Sequence, residues 1–505
     1  MPSASAAPQP ARLRRLIPWG IALLGALYLG FIATHCSPYA GGADSSGYLN
    51  GARLLLEGRC ALPIPEIAGL DAGNWDPLLQ QPLGFVYRPE RQLMMPTYPV
   101  GLSLHLAVAS WLVSLDQAMI PVSLLCAAAA AFFTVALGRR LGLSQPWALA
   151  GGALLLMSPL FLLMVNQPMS DVPALVWVSA ACYFGVRARE RWVWALAAGG
   201  AVAMAVLVRP TNLLVMLPLA VALGLRWRAW LALVVAGAPG AVFLAWYNVQ
   251  LYDKALTTGY GDIGGLLKAG YVPHNTAHFV LWLAVLLSPP VALAAYGLPW
   301  LRRHSPFAVS LLAVWVAAFA GFYVWYFYSG ETWWYLRFIL PAFPPAIIAG
   351  LLVLEQCVAP RVPARIGRLA WPLGLLACLL WLGLWGWHFN VDRVRRGEAN
   401  YPEAMAWLNA HVPENAIVLE WLLSGASTYY SPHTLVRWDM ANRAQLDQLY
   451  AAAEKNGRPV YAALMEFEIK QAFPDGIPGR WEKVGEVRRV TFWRLVEAGG
   501  AQPAP

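Results

Sequence analysis

The sequence predicts an α-helical polytopic membrane protein with a long first exported loop and a soluble α/β domain at its C-terminal end. Three observations lead there. Of 505 residues, 59% are hydrophobic and 12% charged, too apolar a balance for a soluble enzyme and far too long a chain for a single anchor. Apolar segments of spanning length recur, with basic runs set between them. After Asn390 this pattern gives way to short alternating helical and strand-like stretches. The net charge of +9 could point to nucleic acid, but the basic residues sit in short runs between apolar segments rather than on one face, which excludes that partner class.

In chain order, the tail 1–15 (MPSASAAPQPARLRR) is Pro/Ala/Ser-rich with a basic end and reads as cytoplasmic. The apolar run from Leu16 to Thr34 exceeds an ordinary secretory h-region, so an uncleaved signal anchor is expected. Eleven segments can span: 16–36, 117–138, 146–165, 172–187, 192–208, 211–225, 230–250, 276–300, 306–328, 336–356 and 369–389. Arginine runs at 12–15, 139–140, 187–191, 226–228, 302–303 and 361–368 occupy every second connection. By the positive-inside rule those connections are cytoplasmic, and the C-terminus is outside. The run 98–115 would break this parity as a simple crossing. It is therefore expected to be re-entrant, surface-lying, or paired with a further element, which would raise the count to thirteen. The transmembrane domain is thus 16–390, with an exported loop 37–116, and the exported α/β domain is 391–505. That last part is expected to hold a helix in PEAMAWLNAHV, strands in AIVLE, TLVRW and PVYAALM, a helix from Ala444 to Lys455, and a hairpin turning at Arg488-Arg489.

Within loop one, GGADSSGYLNGARLLLEGR (41–59) predicts a short helix, because Asp44, Ser45 and Ser46 are helix-starting residues and Gly58 is a stop. Tyr48, Leu49, Ala52, Leu55 and Leu56 give it an apolar side, while Asn50, Arg53 and Glu57 are expected to stay wet, as on a helix lying at a membrane surface. Cys36 and Cys60 flank this helix, and either a disulfide or two free thiols fits. Cys126, Cys182, Cys357 and Cys378 lie in apolar segments as small hydrophobes.

Titratable groups converge on the exported face. Asp44 at the helix start is placed to act as a catalytic base where lipid-borne and soluble substrates meet; an N-cap role is compatible with this. Asp171, in Ser170-Asp171-Val172-Pro173, either caps its helix or serves as a second carboxylate that orients the acceptor or its base. Arg209, before Pro210-Thr211, needs an anionic partner at that depth, and phosphate suits its fork. Arg337 follows Trp333, Trp334 and Tyr335, aromatic residues of the kind that anchor at interfaces. Arg88, Arg91 and Tyr98 are further groups for a lipid phosphate. His274 and His278 have the spacing of a metal pair without a third ligand, so no metal site is assigned, and a divalent metal is left open. No P-loop, dinucleotide fingerprint, zinc-protease motif or nucleophile elbow is present.

The order of ADSSGYL after span one, PTYPVGLSLHLA closing loop one, SDVPAL, LVRPTNLL and YLRFILPAFP resembles the GT-C superfamily of membrane glycosyltransferases. The similarity is to the branch containing protein O-mannosyltransferases and the lipid A aminoarabinose transferase, and the motifs fall between 37 and 345. The resemblance implies a glycosyltransferase of the hexosyl or pentosyl class in the cytoplasmic (inner) membrane. It would move a sugar from a polyprenyl-phosphate carrier to a lipid, glycan or protein acceptor on the outer face, with inversion and with Asp44 as base. Two departures stand out. Relatives often have tandem acids where this chain has Asp44 followed by Ser45 and Ser46, and some have a basic residue where it has Met95. Arg88, Arg91, Arg209 or Arg337 would then meet the phosphate. The competing readings are a transporter or flippase for a lipid-linked or anionic solute, and a scaffold whose exported domain binds a partner.

Overall fold

The computed structural model describes residues 11–70, 75–261 and 264–499. The first ten residues of the expected cytoplasmic tail lie outside the described residues, as do 71–74 of loop one, 262–263 and 500–505.

The chain opens with α1 (Ala11–His35) and then folds loop one into α2 (Gly42–Leu56), strands β1 (Leu62–Pro63), β2 (Phe85–Arg88) and β3 (Leu93–Pro96), and α3 (Val100–Ala109). The helical body follows as α4 (Met119–Arg140), α5 (Gln145–Met157), α6 (Pro159–Val165), α7 (Asp171–Arg187), α8 (Trp194–Val208), α9 (Met216–Leu223), α10 (Trp227–Tyr252), α11 (Val272–Leu287), α12 (Pro289–Ala295), α13 (Pro306–Tyr323), α14 (Phe343–Val353) and α15 (Ala364–His388). All eleven apolar segments are helical, but six described helices are long and apolar enough to cross a membrane, or seven if α5 and α6, bent by 61°, form one span. Proline accounts for much of the difference from eleven. Pro159 and Pro289 each open a new helix inside a run that composition reads as continuous, because proline lacks the amide a helix interior needs, and Pro210 opens the 3-10 turn at the break already expected before 211. The segment 98–115 yields only α3, ten residues and therefore about 15 Å, half of a hydrocarbon core of about 30 Å. It packs on α2 and α8.

Loop one also holds a small sheet, which the sequence reading did not assign. Its strands pair antiparallel in the order β1-β3-β2. Cys36 and Cys60 are free thiols, so the disulfide alternative does not hold: the Cys36 thiol is buried 3.4 Å from the Ser123 hydroxyl, while Cys60 packs in a separate cluster with Leu55 and Tyr247.

α2 forms where expected and Glu57 is exposed as expected, yet Asn50 and Arg53 are not wet. Asn50 is fully buried and donates to the Gly425 carbonyl (3.0 Å), and Arg53 donates to the carbonyls of Thr428 (2.9 Å) and Tyr429 (3.2 Å). These polar residues face the C-terminal domain, a partner that helical periodicity within α2 does not reveal. Asp44 is not the N-cap either; that position is Gly41, without a side-chain cap.

The C-terminal part begins with α16 (Val394–Glu398) and α17 (Asn400–His411), then runs β4 (Ile417–Glu420), α18 (Ser424–Tyr430), β5 (Thr434–Arg437), α19 (Arg443–Lys455), β6 (Val460–Met465), β7 (Arg480–Val487) and β8 (Val490–Glu497). The sheet order is β5-β4-β6-β8-β7, with β4 parallel to β5 and β6 and the hairpin antiparallel. β4 and β6 are buried along their whole length, as strands in the middle of a covered parallel sheet are. A capping box of Asn442 and Gln445 starts α19. α18, absent from the sequence-based expectation, is the element that docks on α2.

Candidate active site

The site lies where the start of α2, the start of α7, the end of α8 and the turn before α14 meet. Asp44 sits in the first turn of α2, where an acidic side chain is favoured by the helix dipole. Arg337 comes from the 3-10 stretch Trp333–Ala342, and its Nη1 donates to Asp44 Oδ2 at 2.8 Å. The Asp44 side chain keeps 26% of its surface exposed and Arg337 11%, so the pair faces an opening rather than a sealed core. Burial works to raise the Asp44 pKa. The Arg337 charge, hydrogen bonds from Tyr98 and Arg337, and the Arg209 charge outweigh it, and the carboxyl stays below its ordinary value.

A second pair stands behind the first. Asp171, the first residue of α7, is fully buried and accepts from Arg209 Nη2 at 2.8 Å, while Arg209 Nε donates to Ser170 Oγ at 2.9 Å. Tyr48 of α2 donates to the same Ser170 hydroxyl at 2.9 Å, which ties the two acid–arginine pairs together. Aromatic rings wall the space: the Arg337 guanidinium lies 5.3 to 5.8 Å from the ring centres of Trp334, Tyr335 and Phe338, and Tyr98 packs between Tyr48 (5.0 Å) and Tyr260 (6.0 Å). The pairs leave two donors and one acceptor over. Arg337 Nε, Arg209 Nη1 and Asp171 Oδ2 are buried without a hydrogen-bond partner. Two guanidinium N–H groups left unsatisfied next to an opening are suited to an anionic oxygen-rich ligand.

Arg88 and Arg91 stand elsewhere. Arg88 lies over the Tyr252 ring at 5.3 Å, and Arg91 is ion-paired with Asp253 and bonded to the Gln250 carbonyl, both at the end of α10. His274 and His278 each place Nε2 against a backbone carbonyl, Gly330 (3.0 Å) and Thr332 (3.1 Å). Among the described residues no group of three or more His, Cys, Asp or Glu is arranged to hold a metal.

No protein-family model matches the chain, nor does any curated protein sequence at a significant level. Solved structures do. ArnT from Cupriavidus metallidurans bound to undecaprenyl phosphate superposes with a TM-score of 0.62 at 15% identity, over 96% of this chain and 99% of that one. The same protein in its apo state gives 0.59 at 16% identity, over 96% of this chain and 100% of that one. The archaeal oligosaccharyltransferase AglB from Archaeoglobus fulgidus, in complex with an inhibitory peptide and a dolichol-phosphate, gives 0.52 at 13% identity over 90% of this chain and 70% of that one. The chain has the GT-C fold.

Within the GT-C fold, five of the residues singled out in the sequence (Asp44, Tyr98, Asp171, Arg209 and Arg337) come together at one place, with Tyr335 on its aromatic wall. The sequence did not single out Ser170 as the shared acceptor, nor Tyr260 and Phe338 as walls. Ser170 carried a visible signal, since it immediately precedes Asp171. Tyr260, isolated in Gly-Tyr-Gly-Asp, has none beyond its setting in an outer loop.

Proposed function

We propose that the protein is an inverting membrane glycosyltransferase. It would take a sugar from a polyprenyl-phosphate carrier and pass it to a hydroxyl or amine acceptor at the membrane face that bears Asp44. The observation that carries this reading is a part-exposed carboxylate, Asp44, ion-paired with Arg337 and backed by the Asp171–Arg209 pair, with a buried N–H left unsatisfied on each of the two arginines. The donor phosphate would accept from Arg337 Nε and Arg209 Nη1 and compete with Asp44 for Arg337. Released from that ion pair, the Asp44 carboxylate accepts the acceptor's proton as the new bond to the anomeric carbon forms. The bond from that carbon to the phosphate oxygen breaks, and its electron pair stays on the phosphate. Charge growing on the leaving phosphate is met by fixed guanidinium groups. Asp171, with no exposed surface, acts through Arg209 by holding its plane. A single accessible carboxylate fits direct displacement, since a covalent sugar intermediate would require a second one as nucleophile.

Orientation follows from charge. Asp44 and Asp171 lie in the first turns of α2 and α7 and Arg337 in the 3-10 stretch before α14, whereas Arg139, Arg140 and Arg187 close α4 and α7. Under the positive-inside rule this arrangement supports a site on the outer face.

The test is transfer of radiolabelled sugar from polyprenyl-phosphate donors by membranes carrying wild-type or Asp44→Asn protein, with folding checked by thermal unfolding in detergent. A folded Asp44→Asn variant is expected to lose about a hundredfold or more, the share a general base supplies. Wild-type membranes that move intact donor lipid across the bilayer without any transfer would instead make the protein a transporter.

A further inference from the structure

At the end of the helical body opposite Asp44, a cavity of about 340 Å³ opens between α5, α12, α14 and α15. Trp147, Leu154, Val291, Leu354, Trp371 and Cys378 are among its lining residues, and no charged side chain lines it. It is held open by backbone geometry. Gly350 lets the Val291 carbonyl come so near that a Cβ there would sit 2.3 Å from the oxygen, which fixes α12 against α14 below the cavity. Trp147 and Trp371 meet with ring centres 5.4 Å apart.

Trp371 also borders a second recess, lined by Arg361 and Arg368 across the turn between α14 and α15. Arg361, Arg365 and Arg368 are all exposed, and none has an acidic partner among the described residues. The nearby Glu355 forms no ion pair with them; its carboxylate oxygens accept from the Ser144 amide (3.1 and 3.2 Å) at the start of α5. An apolar hollow, a tryptophan at its rim and three guanidinium groups without an acidic partner just beyond, one of them bonded to the Cys357 carbonyl, form the sequence tail, interface, headgroup of a membrane lipid.

We propose that this cavity and its arginine rim bind one anionic phospholipid from the leaflet opposite the active site. An acyl chain fills the hollow between α5 and α15, and the phosphate rests on Arg361, Arg365 and Arg368. The lipid wedges α15 against α14, the helix whose other end follows Arg337. This site is separate from the transfer reaction and stands whether or not that reaction is the one proposed.

The experiment uses the full chain, purified and stripped of lipid. Its unfolding temperature is followed as phosphatidylglycerol, or phosphatidylcholine with the same acyl chains, is added back, and retained lipid is counted by native mass spectrometry. Phosphatidylglycerol is expected to raise the unfolding temperature by several degrees, with one molecule retained, and phosphatidylcholine to do neither. Arg361→Gln/Arg365→Gln/Arg368→Gln should abolish the difference, and Arg302→Gln/Arg303→Gln, which alters arginines outside the rim, should keep it. Gly374→Phe fills the hollow from α15, where nothing lies within 4 Å of a Cβ, and should also abolish retention while the protein stays folded. Equal stabilisation by both lipids, loss in the Arg302/Arg303 variant, or undiminished retention in Gly374→Phe overturns the proposal. So does selective retention of polyprenyl phosphate through the same three arginines.

Discussion

Arg337 donates from Nη1 to Asp44 while its Nε has no hydrogen-bond partner, and its charge beside the carboxylate sets the expected pH behaviour. A base must be ionised, so transfer falls as pH drops through the Asp44 pKa. That pKa lies below the ordinary carboxylate value of about 3.9, chiefly because the Arg337 charge overcomes burial. Wild-type activity should therefore hold well into the acid range. Arg337→Gln is expected to move the acid limb of kcat/KM to higher pH, and Tyr98→Phe to move it the same way by less. An acid limb that stays put in both variants would remove Asp44 from the titrating role. A second carboxyl makes the opposite linkage. Glu420, at the end of β4, is fully buried; burial outweighs the hydrogen bond from Ser427 and, with the Glu468 charge adding to it, pushes the carboxyl up to about 8. Between an unfolded value of about 4.3 and that figure the folded protein holds the extra proton, so stability is greatest in acid and declines as pH rises towards 8. Glu420→Gln should flatten this decline, as read from unfolding temperatures of the full chain between pH 5 and 8.

At the level of single elements, α2 shows both the reach and the limit of sequence reading. Its C-terminal end was legible because Gly58 stops a helix, whereas its start falls at Gly41–Gly42, ahead of the Asp and Ser residues expected to cap it; part of its apolar side was legible from spacing. Its polar side was misread. Asn50 and Arg53 look like solvent residues by periodicity, and only the arrival of α18 from 375 residues away makes them buried interface donors. Removing either leaves backbone carbonyls of α18 unsatisfied at a cost of about 1–3 kcal/mol. Arg53→Ala is thus expected to lower the unfolding temperature and, because α2 carries Asp44, to depress kcat more than it raises KM for the donor. Gly47 is the other tight point: a Cβ there would lie 2.5 Å from the Tyr98 ring and 3.1 Å from the Gly84 Cα. Since Gly84 backbone cannot yield, Gly47→Ala must displace Tyr98 from Asp44, at about 1–3 kcal/mol of overpacking and with a larger loss of transfer than of stability. Unchanged kinetics in a folded Gly47→Ala protein would show that Tyr98 is not needed near the carboxylate.

For the whole molecule, apolar runs announced the helices and their order announced the GT-C resemblance, but not which runs cross the bilayer unbroken. Local composition cannot report a 61° bend at Ser158-Pro159, or that α8 stops at 15 residues. The site was legible only as separate residues. Asp44 and Arg337 stand 293 positions apart, and nothing in either neighbourhood states that they meet. What links the two scales is threading: alternating basic connections place Arg139–Arg140 and Arg361–Arg368 on one side and the acid–arginine pairs on the other. The chain carries its own probes for this. Cys60 follows α2 on the Asp44 side, and Cys357 lies just before Arg361; both are half-buried free thiols, whereas Cys36, Cys126, Cys182 and Cys378 are buried. A membrane-impermeant maleimide applied to intact cells should label Cys60 and spare Cys357, and permeabilised cells should show both. Cys60→Ser should erase the first signal and Cys357→Ser only the second. The reverse pattern would put Asp44 on the cytoplasmic side, where a carrier-linked sugar and an exported acceptor could not meet, and the proposed reaction would fail with it.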